Sequence, residues 1–145
     1  MGDYTGLRCK IKVKKEFIEE IENVVEYRCW DVVDSPELMQ YCMVGRSSQI
    51  PVGIGPMPDE WLEFLNVSNE WVFEKFEKST GLWMFQCSLK NSCNTIESFF
   101  ELVLPTIAME VLHLETHFEY DEYSKLYKLI NNKIVVSSEA YKKYR

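Results

Sequence analysis

The sequence predicts an α+β fold, a single antiparallel sheet with helices on one face. Three observations predict it. Segments 7–13, 82–90 and 110–120 alternate apolar and polar residues with the period of a half-buried strand. Segments 15–26 and 94–103 instead space their apolar residues three and four apart, as amphipathic helices do. Ser79-Thr80-Gly81 and Asn131-Asn132 read as tight connections between neighbouring strands.

The first strand, 7–13, sets Leu7, Cys9, Ile11 and Val13 against Arg8, Lys10 and Lys12. A helix follows over 15–26. Phe17, Ile18, Ile21, Val24 and Val25 form its apolar stripe, and Glu16, Glu19, Glu20, Glu22 and Glu26 occupy the remainder. Glu16 and Glu19 also sit near its start, where the helix dipole favours negative charge. Ser35-Pro36-Glu37 reads as a cap, a first-turn proline and a first-turn acid, so a short helix is expected through about Cys42. Residues 45–58 are irregular, with three of the chain's six glycines and three of its five prolines. Residues 59–66 read as a short acidic helix.

Segments 71–77 and 82–90 then form a hairpin, Trp83, Phe85, Cys87 and Leu89 alternating with Met84, Gln86 and Ser88. Asn94-Thr95-Ile96-Glu97 resembles a capping box opening a helix that carries Phe99, Phe100, Leu102 and Val103, and Pro105 ends or kinks it. The chain closes with strands at 110–120, 125–130 and 133–136, the last two joined through Asn131-Asn132, whose residue type tolerates positive φ. Residues 137–145 are polar and read as helical or frayed. The expected core is Leu7, Cys9, Ile11, Trp83, Phe85, Leu112, Leu114 and Phe118 packed against the two main helices. The other sheet face is expected to be open to solvent or to a partner. With the irregular insert at about 35–66 set aside, the order is β-α-β-β-α-β, the ferredoxin-like arrangement, extended by a C-terminal hairpin. The 145 residues suit one domain, 1–145.

Charge divides the chain. The net charge is −7, yet residues 16–80 hold fourteen acids against four bases, while residues 1–15 hold five bases against Asp3. Nucleic-acid binding needs a basic footprint to neutralise phosphates, and this balance argues against it. Five cysteines at irregular spacing contain no CxxC pair, so a structural zinc site of that type is not expected, and Cys9 and Cys87 read as reduced core thiols. No apolar run follows the first basic residues and no membrane span is visible, which gives the expectation of a cytoplasmic protein without membrane attachment. Nucleophile-elbow, dinucleotide-loop and Walker-type motifs are absent from the sequence. The expectation is therefore no enzyme and no cofactor.

Two constellations remain. His113, Glu115, His117 and Glu119 alternate along one predicted strand, and imidazole with carboxylate is competent chemistry for a divalent metal or a small ligand. Same-face neighbours on one strand stand about 6.5–7 Å apart, so one ion bridges two of them and not four. A polar stripe paired across strands with Arg8, Lys10 and Lys12 is the competing reading. The second constellation is acidic: Glu16, Glu19, Glu20, Glu22 and Glu26 on the first helix, extended by Asp59, Glu60 and Glu63. A one-sign surface steers association with a basic protein partner and can imitate a phosphate backbone.

The opening Met1-Gly2-Asp3-Tyr4-Thr5-Gly6-Leu7-Arg8-Cys9-Lys10 resembles the start of small accessory proteins of phages and prophages. Tyr123-Ser124-Lys125-Leu126-Tyr127-Lys128-Leu129 with Asn132-Lys133-Ile134-Val135 is similar to their terminal hairpin. The resemblance covers about a third of the chain, carries over no site residues, and implies a stoichiometric inhibitor or adaptor of another macromolecule. Anti-defence proteins such as anti-CRISPR proteins are of this kind. Toxin-neutralising immunity proteins, also small, acidic and non-catalytic, are the alternative.

Overall fold

The computed structural model describes residues 3–51 and 74–141. It is an α+β fold with one six-stranded antiparallel sheet in the order β2-β3-β1-β4-β5-β6. The strands are β1 (Tyr4–Val13), β2 (Lys75–Glu77), β3 (Leu82–Lys90), β4 (Ala108–Phe118), β5 (Tyr123–Ile130) and β6 (Lys133–Tyr141). Helix α1 (Ile18–Tyr27) follows β1 and α2 (Pro36–Cys42) follows α1. Between β3 and β4 runs a helical segment built from α3 (Thr95–Ser98), a π-helical turn (Phe99–Val103) and α4 (Leu104–Ile107). Proline at 105 has no N–H to give an α-helical bond to the carbonyl four residues back, and its ring crowds that carbonyl. The wider π turn sits directly before it, so the expected break becomes a bulge and the segment continues for another turn.

One apolar cluster holds sheet and helices together. Leu7, Cys9, Ile11 and Val13 of β1, Trp83, Phe85, Cys87 and Leu89 of β3 and Leu114 of β4 are buried with Ile21, Val24, Leu38, Phe99 and Val103 from the helices. Trp30, after α1, lies edge-on to Tyr41 of α2 with ring centroids 5.2 Å apart, and its Nε1–H donates to the Ile50 carbonyl at 2.8 Å. The alternation read in 7–13 therefore sorts core from surface as expected, and that in 82–90 places Trp83, Phe85, Cys87 and Leu89 in the core, although Met84 and Ser88 on its other face are buried as well.

The strand at 110–120 is corrected. It spans Ala108–Phe118, and its pairing with β1 slips twice: Lys10 faces His113 but Ile11 faces Val111, and Lys12 faces Glu110 but Val13 faces Ala108. Each slip bulges one residue out of β4 and reverses its alternation. Leu112, expected in the core, is 43% exposed, while Val111, expected on the polar face, packs against the core. Phe118 is only half-buried and meets Tyr120 at the sheet margin, outside the apolar cluster. The open second face is corrected too. Met84, Ser88, Glu115, His117 and Ser124 all lie on it and all are buried.

Two local expectations change at element ends and one holds. Asn94 adopts a left-handed backbone, φ 55°, and makes no side-chain cap. Asn91 takes that role, its Oδ1 accepting from the Ile96 N–H at 2.8 Å and its Nδ2 donating to Glu97 at 2.7 Å. The tail is a strand through Tyr141, because β5 offers a ladder of backbone partners that composition does not reveal. Asn131 and Asn132 take the positive φ expected of them, 51° and 62°.

Gly81 closes the β2–β3 hairpin at φ +79°, and a Cβ there would stand 2.7 Å from the Val13 carbonyl oxygen. The Gly81 carbonyl also accepts from the Val13 N–H at 2.8 Å, so the turn cannot retreat without losing that bond. Gly81→Ala is expected to cost about 1–3 kcal/mol. Urea denaturation measures it, and a loss under about 0.5 kcal/mol would show that the hairpin relaxes freely.

Candidate functional site

The acidic helix divides into three groups once its neighbours are in place. Ile21 and Val24 turn α1 onto the sheet. Glu19 and Glu26 are exposed and, with Asn23, follow one face of α1, and Glu16 is exposed in the 3-10 turn Lys15–Phe17 just before it. Glu22 pairs with Lys78 at 3.2 Å, both still largely in solvent. Glu20 does something different. Its Oε1 accepts from the backbone N–H of Asp34 at 2.8 Å and of Ser35 at 3.0 Å, and its Oε2 accepts from the Ser35 hydroxyl at 2.7 Å. The expected serine cap is thus replaced: Ser35 gives its hydroxyl to Glu20, and the carboxylate ties the start of α2 to the first turn of α1. Asp59, Glu60 and Glu63 lie outside the described residues. Glu74 turns inward, accepting from Trp83 Nε1 at 3.1 Å beside Arg28 at 3.5 Å.

Partial burial pushes the Glu20 carboxyl upward, but the Ser35 and Asp34 hydrogen bonds together outweigh it and hold the group below the ordinary carboxylate value. A depressed folded-state value contributes stability above the unfolded pKa, and that contribution is lost as pH falls through the folded value. Glu20→Gln is therefore expected to be less stable than wild type at neutral pH, with the difference fading below about pH 4. Urea titrations across that range check it. A pH-independent difference would mean that the amide loses geometry rather than charge.

The histidine–carboxylate strand is pulled apart by its neighbours. Glu115 is only 5% exposed. Its Oε1 faces Arg8 at 3.4 Å and His113 Nε2 at 3.0 Å, and its Oε2 accepts from the buried Ser124 hydroxyl. Arg8 in turn donates from Nε to Gln86 at 2.7 Å. The result is a polar chain across β3, β1, β4 and β5, with the carboxylate charge balanced by a guanidinium. His117 Nε2 stands 2.7 Å from the Asp121 carbonyl, which can only accept, so that nitrogen carries the proton. Glu119 lies beyond the end of β4 and accepts from the Tyr4 N–H. Of the four residues, His113 and Glu115 are brought into contact, Nε2 to Oε1 at 3.0 Å. Among the described residues no group of three or more His, Cys, Asp or Glu side chains is arranged to hold a metal ion. Cross-strand pairing with Arg8 was legible from alternation, whereas Gln86 and Ser124 enter only through register.

A third feature was not legible in the sequence. An open groove of about 690 Å³ lies between the helical segment 95–107 and the β5–β6 turn. Phe100 and Ile134 are half-buried in it, Glu97 and Glu101 stand exposed on the helix side, and Lys133 stands on the strand side. Phe100 is held by an edge contact to Tyr127, centroids 4.8 Å apart. No described helix is long and apolar enough to cross a membrane. In comparisons with known proteins, no family model, no curated protein and no solved structure matches this chain.

Proposed function

We propose that this protein is a non-catalytic acidic module that binds a basic surface of another macromolecule and blocks or adapts it. One observation carries the reading. Glu16, in the 3-10 turn that leads into α1, forms an exposed carboxylate stripe with Glu19 and Glu26 of α1, opposite the residues that anchor the helix. Such a stripe is not required by the core, and at one sign it raises encounter rates with a basic partner. The specific form we favour is a phage-encoded anti-defence inhibitor in the host cytoplasm, in keeping with the terminal segments that resemble phage accessory proteins. An immunity protein would use the same surface. The order β2-β3-β1-β4, with helices after β1 and β3, supports reading the first four strands as a ferredoxin-like core on which the stripe is mounted.

The test is capture of the partner from a host extract, identified by mass spectrometry, followed by affinity measurements over a salt series. Glu16→Lys, Glu19→Lys and Glu26→Lys are combined, and Glu20 is left intact because it supports the fold. Weaker binding and a flatter salt dependence in the triple variant are expected, since surface attraction is screened beyond about 8–10 Å at physiological salt. Unchanged affinity with an unchanged salt slope would overturn the proposal.

A further inference from the structure

The two sheet edges are unlike. β2 at one edge has three residues, which leaves little backbone to pair. β6 at the other has nine, and among the described residues it pairs only with β5. Lys133, Val135, Val136, Ser137 and Ser138 are all exposed. The β5–β6 ladder slips between Leu126 and Tyr127, so regular pairing runs from Lys133 to Val136. Over that stretch Lys133 is the sole charged residue and there is no proline. With one charge and no proline, these four residues leave edge backbone open to strand addition.

The groove lies beside that stretch. A residue directly opposite Ile134 on an added strand shares its sheet face, and Ile134 lines the groove. Its side chain would meet the ring of Phe100 and two carboxylates one helical turn apart, Glu97 and Glu101. The Asn91 amide already orients Glu97, at 2.7 Å. An aromatic floor with paired acids suits a guanidinium, which is planar, permanently charged and able to lie on a ring while donating at its edge.

We propose that the β6 edge and this groove together bind an extended segment of a basic partner, with an arginine opposite Ile134 seated between Phe100, Glu97 and Glu101. The inference rests on the basic-partner reading and adds the place and the side chain.

The experiment uses the full chain, ¹⁵N-labelled, titrated with a blocked peptide of alternating valine and arginine and with the same peptide carrying neutral citrulline for arginine. Saturable shifts are expected at the amides of residues 97–104, 106 and 133–136 with the arginine peptide, and much weaker ones with citrulline. Glu101 and Lys133 are both exposed, so substituting them spares the core. Glu101→Gln should weaken binding roughly two- to fivefold, and Lys133→Gln should strengthen it by a similar factor by removing a cation from the groove's rim. Equal binding of both peptides, no effect of either substitution, or no shift at all overturns the proposal. Shifts confined to α1 also overturn it while leaving the basic-partner reading in place. That reading falls separately, if the captured partner ignores salt and the α1 substitutions.

Discussion

Replacing Phe99 by alanine is expected to cost about 3–5 kcal/mol, a large part of the stability of a domain this size. Phe99 is fully buried on the π turn, with ring centroids 6.1 Å from Trp30, 5.8 Å from Tyr41, 6.5 Å from Trp83 and 6.2 Å from Phe85. It joins the residues after β1, helix α2 and strand β3 through one side chain. Truncation opens a cavity whose rigid aromatic walls collapse poorly, and that lack of relaxation places the cost high in its range. Denaturant unfolding measures the loss, and near-ultraviolet circular dichroism should change with it, because two tryptophans lose their fixed neighbour. Phe99→Leu should recover most of the stability. A cost for Phe99→Ala under about 1.5 kcal/mol would mean that the surrounding rings repack, and that the cluster is looser than its geometry indicates.

The second large effect is expected on the opposite sheet face. Glu115→Ala removes the carboxylate that faces the Arg8 guanidinium, whose side chain is 13% exposed, and that accepts from the buried Ser124 hydroxyl. Removing one member of a buried charged pair costs about 3 kcal/mol or more, because the remaining charge stays desolvated. Arg8 keeps its hydrogen bond to Gln86, which softens the loss. The double variant Arg8→Met with Glu115→Leu should recover much of the stability, since an apolar pair of similar volume avoids the desolvation altogether. The double-mutant cycle separates the outcomes. If Glu115→Ala costs under about 1 kcal/mol, Arg8 escapes to solvent and the polar chain is not a structural unit.

These two variants probe features of different legibility. Phe99 was placed on an apolar helix stripe by spacing alone, but its position at the centre of five rings depends on α2 and Trp30 folding over the same sheet face. Glu115 was placed on a strand's polar face, where solvent was the expected neighbour. Its burial follows from Arg8 and Gln86 on adjacent strands and Ser124 on the next. The acidic helix shows the same division. Five glutamates were legible as one polar face, yet Glu20 is engaged by Asp34 and Ser35 and only Glu16, Glu19 and Glu26 remain as an exposed stripe.

The sequence by itself determined what depends on neighbours along the chain. The period of two in 7–13 and 82–90, the proline-led start of α2 and the paired asparagines of the last turn act within a few residues, so local sterics and burial of one face suffice. Tertiary structure alone decided what depends on which strand lies alongside. Pairing with β1 forced two extra residues out of β4 and exchanged Val111 for Leu112 at the core. Pairing with β5 drew the polar tail into β6. The physical reason is that a backbone N–H or C=O needs a partner wherever water is excluded, and the chain supplies that partner from residues far away in sequence.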